Sequence, residues 1–232
     1  MSQKKGILYC VGTGPGDPEL ITVKAIRIMK ACGAVAFAVD AKGERLAYSI
    51  AQNAFPELEK KRQIPVYTPM VMDKKTLQES HKTAAESLKA VLDTGVSVAY
   101  LTLGDPSVYA SCMYPAKLVA EEGYAVEMVP GVPSFCAVAA RLGDPLVLGS
   151  EELHIVPAWR QVETALDYPG TKVLMKAGSH MGELKKMLSK VSGTVRAVEC
   201  CGMQGEEIYR CTEELSENSS YYTVVVVRGD EH

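Results

Sequence analysis

Several apolar runs in this chain end on a charge. Asp105 closes YLTLGD, Lys176 closes VLMK, and Asp230 stands just past VVVVRG. Open α/β sheets build their sites at the carboxyl ends of strands, so charges at these places are candidates for chemistry. In the segment Tyr100–Tyr109, YLTLGDPSVY, Gly104 permits a close backbone approach, Pro106 fixes φ for the turn that follows, and Asp105 supplies a carboxylate. Lys176 needs a counter-ion if buried, because an unpaired buried ammonium is costly or loses its proton. Asp105, Lys176 and Asp230 are therefore expected to converge, and they are the candidate catalytic groups. The other reading of Lys176 is a strand-end ammonium that snorkels to solvent.

A second turn, Gly12-Thr13-Gly14-Pro15-Gly16-Asp17, also follows an apolar run and precedes a helix-like segment. A G-x-G-x-x-G dinucleotide loop would place its third glycine where Asp17 stands, and Pro15 lacks an N–H that phosphate would use. No Lys-Ser/Thr pair follows, so it is not a P-loop, and an acid at the turn repels pyrophosphate. What remains is a ligand-lining turn or a tight strand-to-helix connection. The seven cysteines include no C-x-x-C, and the four histidines fall at no ligand spacing. Neighbours Cys200 and Cys201 project to opposite sides of a strand, so no metal site is expected. Lys60-Lys61-Arg62 reads as a solvated charge run.

The elements that must position these groups alternate. The pattern predicts strand 6–11, helix 22–32 behind a Thr22 cap, strand 34–39, helix 47–54, helix 76–92, strand 96–103, helix 108–122 and strand 125–129. That order favours a mostly parallel sheet covered on both faces. A Gly, Pro and acid-rich stretch, RLGDPLVLGSEE, places a domain boundary at 142/143, giving units 1–142 and 143–232. Beyond it come strand 153–157, helix 161–166, strand 171–176, helix 181–191, strand 195–200, a β-type segment near 208–211 and strand 221–228. The later strands follow one another without helices, so the second sheet is expected to be mixed. The fold class is α/β with two α/β domains.

With 232 residues, 47% of them hydrophobic, the chain can bury a real core, and disorder is not expected. A net charge of −3 with no basic stripe argues against nucleic-acid binding. An odd cysteine count with several inside apolar runs suggests a reduced, cytoplasmic chain. The short apolar stretch after MSQKKG is not a signal peptide, and no run reaches the length of a membrane span.

The motifs GTGPGDPELIT, YLTLGDPSVY and VPGVPSFCAVAARLGDPL, in this order and at these strand ends, resemble the tetrapyrrole (corrin/porphyrin) methylase family. LTLGDPSVY followed by Met113-Tyr114, with Cys201-Gly202-Met203 downstream, is similar to the branch acting at carbon 20 of precorrin-2. The resemblance implies a homodimer of two α/β domains with the active-site cleft between them. It also implies S-adenosylmethionine (SAM) as methyl donor and no metal. Carried over by position, the cofactor contacts would be Pro15, Leu103, Gly104, Asp105, Val108, Pro133, Ser134, Met175, Lys176 and Gly202. Pro133 replaces a hydroxyl residue common in sister enzymes, which leaves Ser134 as the side-chain contact. Tyr109 and Met113, spaced by four, serve either a helix core or a flat platform for the macrocycle. Arg141 and Arg160 are candidates to pair the substrate's propionate and acetate groups. The implied reaction is methylation of carbon 20 of precorrin-2 or its cobalt form in cobalamin synthesis. The alternatives are methylation of another tetrapyrrole or a non-catalytic SAM- or tetrapyrrole-binding protein.

Overall fold

The structure, a computed structural model, describes residues 4–69, 73–158 and 162–229. Trp159, Arg160 and Asp230 therefore lie outside the described residues. In the first unit the chain runs β1 (Leu8–Gly12), α1 (Val23–Ala31), β2 (Ala34–Val39), α2 (Leu46–Ala54), β3 (Arg62–Tyr67), α3 (Lys74–Leu92), β4 (Val98–Thr102), α4 (Met113–Glu121) and β5 (Val126–Val129). The five strands pair in parallel in the order β3-β2-β4-β1-β5.

Period-two alternation divides the strand side chains between two cores. Leu8, Cys10, Val98 and Tyr100 pack with α3 and α4 on one face. Val11, Ala99 and Leu101 pack with α1 and α2 on the other. The connection from β1 leaves toward β2 while that from β4 leaves toward β5. These adjacent strands thus send their helices to opposite faces, and their carboxyl ends open a crevice at a topological switch point.

Three expectations in this unit are corrected. A strand, β3, occupies Arg62–Tyr67, where none was expected. Pro65 hides it from a propensity reading, yet β3 sits at the sheet edge, where a residue without an N–H is tolerated. Lys61 is not part of a solvated run: its Nζ donates to Cys32 O at 2.6 Å and Lys30 O at 3.0 Å, satisfying carbonyls at the end of α1. Helix α4 begins at Met113 rather than 108, so Tyr109 precedes it and does not share its face.

The second unit contains α5 (Ser134–Leu142), β6 (Leu153–Pro157), α6 (Val162–Leu166), β7 (Thr171–Met175), α7 (Met181–Leu188), β8 (Thr194–Glu199), β9 (Glu207–Tyr209) and β10 (Thr223–Arg228). Its sheet order is β6-β7-β10-β8-β9, with β6 and β7 parallel and the other pairs antiparallel. Leu174, Val195, Ala197, Val225 and Val227 pack against α6 and α7. Helix α5 packs on β8 and β10. The chain divides after Pro133, nine residues before the expected boundary at 142/143. The reason is a clasp just beyond α5: Asp144 accepts from Arg196 of β8 and Arg228 of β10, each at 3.0 Å, so the helix goes with the second sheet.

Candidate cofactor and substrate site

The loops leaving β1, β4 and β5 are stitched together at the switch point. Thr13 donates to the Thr102 carbonyl through its amide at 2.9 Å and its hydroxyl at 3.1 Å. Gly14 and Gly104 exchange both backbone hydrogen bonds, at 3.2 and 2.8 Å. Gly104 adopts φ +69°, and a side chain on Gly12 or Gly131 would strike the Gly104 carbonyl oxygen. Glycine is required here because three backbones meet without room for a methyl. Thr22 caps α1 by accepting from Ala25 N at 3.1 Å and donates to Pro130 O at 3.2 Å, tying the third loop in place.

Asp105 is the clasp of this junction. One carboxylate oxygen accepts from the Ser107 amide at 2.7 Å and from the Ser107 hydroxyl, and the other accepts from the Gly131 amide at 2.9 Å. Burial works against ionisation, but the donors from Ser107 and Gly131 outweigh it and hold the carboxyl below its ordinary value. Across the three loops, 13–22, 103–112 and 130–133, stand Asp17, Glu19 and Asp105 and no Lys, Arg or His. A crevice with that charge favours a cationic ligand and disfavours phosphates.

The other expected cofactor contacts stand as follows within their own units. Pro15 and Gly104 are buried, while Leu103, Val108, Pro133 and Ser134 are half-buried, Ser134 as the first residue of α5. Met175 ends β7, and Lys176 follows it with φ +61°, half-buried, its Nζ 5.6 Å from the centroid of the Tyr221 ring. An aromatic face thus supplies part of what the ammonium needs. The most buried lysine of the strand is one that the sequence reading passed over, Lys172, whose Nζ donates to Tyr168 O and Gly170 O at 3.0 Å each. Desolvation pushes its ammonium pKa down.

The expected substrate residues have mixed surroundings. Tyr109 is 47% exposed with φ +48°, a strained backbone for a non-glycine residue. Met113, half-buried, opens α4, and the adjacent Tyr114 stacks on His81 of α3 with centroids 4.8 Å apart and planes within 3°. Arg141 forms an ion pair through Nε with Glu206, whose other oxygen accepts from the Gly202 amide at 2.7 Å. The N–H of Gly202 is therefore already committed. Sequence reasoning missed His81, Ser107, Glu206 and Tyr221; of these only Ser107 carried a local signal, since Asp followed two residues later by a donor is an Asx turn. Among the described residues no cluster of three or more His, Cys, Asp or Glu could hold a metal ion, and no helix is long and apolar enough to cross a membrane.

Residues 7–216 match the family model of the tetrapyrrole (corrin/porphyrin) methylases. The chain belongs to that family. A probable cobalt-precorrin-2 C(20)-methyltransferase of Methanocaldococcus jannaschii is 36% identical over 170 residues, covering 73% of this chain and 71% of the relative. A precorrin-2 C(20)-methyltransferase of Sinorhizobium is 28% identical over 238 residues, covering 97% and 96%. Among solved structures, the uroporphyrin-III C-methyl transferase of Thermus thermophilus complexed with S-adenyl homocysteine superposes with a TM-score of 0.68 at 22% identity, covering 97% and 98%. That likeness shows the fold: two α/β domains, one with a parallel sheet and one with a mixed sheet.

Proposed function

We propose that the protein is a SAM-dependent methyltransferase acting at carbon 20 of precorrin-2 or cobalt-precorrin-2 in cobalamin synthesis. The observation that carries the cofactor half is the glycine-walled crevice at β1 and β4, which bears Asp105 and two further acids but no cation. SAM carries a sulfonium and an ammonium and no phosphate, so its charge suits this crevice as a nucleotide's does not. The substrate half rests on the precorrin-2 and cobalt-precorrin-2 C(20)-methyltransferases to which nearly the whole chain is similar.

Bound SAM would supply a methyl group already activated by its sulfonium. The chain's own task is then chiefly to hold the acceptor carbon in line with that methyl and to exclude water, which in favourable cases is worth about 7–11 kcal/mol. Asp105, with its oxygens engaged by Ser107 and Gly131, holds the loop shape that meets the cofactor. Pro15, Leu103, Gly104, Val108, Pro133, Ser134, Met175 and Gly202 line the cofactor. Tyr109, Met113 and Tyr114 offer flat surface to the macrocycle, and Arg141 and Arg160 meet its carboxylates. Lys176 and Asp230 tune charge near the reacting carbon and carry the proton that leaves it. Seven free cysteines favour a reducing cytosol, and the family resemblance implies a homodimer.

Calorimetric titration tests the cofactor half. Saturable binding of S-adenosylhomocysteine with none of ATP or NAD is expected; the reverse preference contradicts the reading.

A further inference from the structure

The turn after β8 holds two left-handed residues, Cys200 at φ +49° and Gly202 at φ +75°. The first is strained, because a side chain in that region costs about 1–2 kcal/mol. The Met203 amide closes the turn onto Cys200 O at 2.8 Å. Glu206 holds it from outside. One of its oxygens accepts from the Gly202 amide at 2.7 Å, and the other pairs with Arg141 Nε in the last turn of α5. The Glu206 side chain is 15% exposed against 57% for Arg141. Burial opposes its charge, yet the Gly202 amide and the Arg141 guanidinium hold its carboxyl below the ordinary value.

We propose that Glu206 is a positioning residue for cofactor binding, fixing the Gly202 turn and helix α5 relative to each other through one carboxylate. Helix α5 begins at Ser134, so Glu206 links two proposed cofactor contacts that lie far apart in sequence. The inference rests on the proposed SAM site and adds a chemical constraint. With its N–H committed to Glu206, Gly202 has only its carbonyl to offer. The ligand atom facing Gly202 is therefore a hydrogen-bond donor, such as the amine of adenine or of the methionyl group.

The test compares wild type with Glu206→Ala, Glu206→Gln and Arg141→Ala. It reads the Kd for S-adenosylhomocysteine by calorimetry, KM for SAM and for the tetrapyrrole, and Tm. Glu206→Ala is expected to weaken S-adenosylhomocysteine about tenfold, the effect of one lost hydrogen bond to a charged group, with Tm and tetrapyrrole KM little changed. Glu206→Gln should recover most of that affinity, since its amide oxygen still accepts from Gly202. Arg141→Ala removes the exposed ion pair together with a proposed tetrapyrrole contact, so only its S-adenosylhomocysteine Kd is read; that should weaken by about threefold, and the variant serves if Glu206→Ala fails to fold. Unchanged affinity in Glu206→Ala, or in Arg141→Ala where that variant must serve, overturns the inference. So does a fall in Tm with equal losses for both substrates. Failure of the wild type to bind S-adenosylhomocysteine overturns the SAM site itself.

Discussion

Asp105 illustrates how a residue marked for chemistry can act through geometry. Its oxygens are engaged by Ser107 and Gly131, so it is poorly placed to take a proton and well placed to hold two loops together. In Asp105→Asn an NH2 group must face one of those donors, and stability should fall by about 1–3 kcal/mol in urea titration. The pH dependence has a definite sign. The folded pKa is lowered, so the carboxylate's contribution is complete above the unfolded value of about 3.9 and is lost as pH falls through the folded one. Wild type and Asp105→Asn should therefore converge in stability only in strong acid. Tyr109→Gly should relieve its left-handed strain and stabilise the fold by up to about 1 kcal/mol, while raising KM for the tetrapyrrole. Lys176→Met is expected to lower kcat with Tm unchanged, and full turnover would leave Lys176 as a snorkelling strand-end residue. At this scale the legible contacts were local ones. The Asp105–Ser107 turn spans two residues and could be read, whereas Arg141 and Glu206 are 65 residues apart and no periodicity announces them.

Elements were readable wherever a single pattern governed them. Strand β2, a short continuous apolar run, and the Thr22 cap fall where hydrophobic patterning and capping chemistry put them, and Thr22 does accept from Ala25 N. Strand β3 escaped because Pro65 contradicts a central strand and only the sheet order reveals an edge. Helix α4 was read five residues too long at its start, since Val108 to Cys112 lacks the Pro or Gly that would mark a loop. Two substitutions test how elements are joined. Gly131→Ala pushes a methyl into the Gly104 carbonyl, and the backbone must shift, costing at least about 2 kcal/mol and loosening S-adenosylhomocysteine as well. Asp144→Ala leaves Arg196 and Arg228 without their shared carboxylate and should cost about 1–3 kcal/mol by urea denaturation, with S-adenosylhomocysteine affinity retained.

For the molecule as a whole, the element order gave away an α/β chain with one parallel and one mixed sheet, because helices separate the early strands and not the last ones. The strand order was beyond the sequence, since it depends on which face each crossover takes. With it went the switch point at β1 and β4, where the proposed site is built. The boundary was displaced for a similar reason: composition marks the Gly- and Pro-containing stretch after α5, whereas the Asp144 clasp decides which sheet the helix joins. Charge was legible in part, as Asp17 and Asp105 mark two of the three crevice loops as acidic from the sequence alone, while the loop 130–133 carries no charge. The most direct test is anaerobic incubation of the purified protein with SAM and precorrin-2 or cobalt-precorrin-2, followed by mass spectrometry and NMR of the product. One added methyl on carbon 20, with S-adenosylhomocysteine released in equal amount, is the predicted result. A tetrapyrrole recovered unmethylated, or methylated at another carbon, would contradict the account.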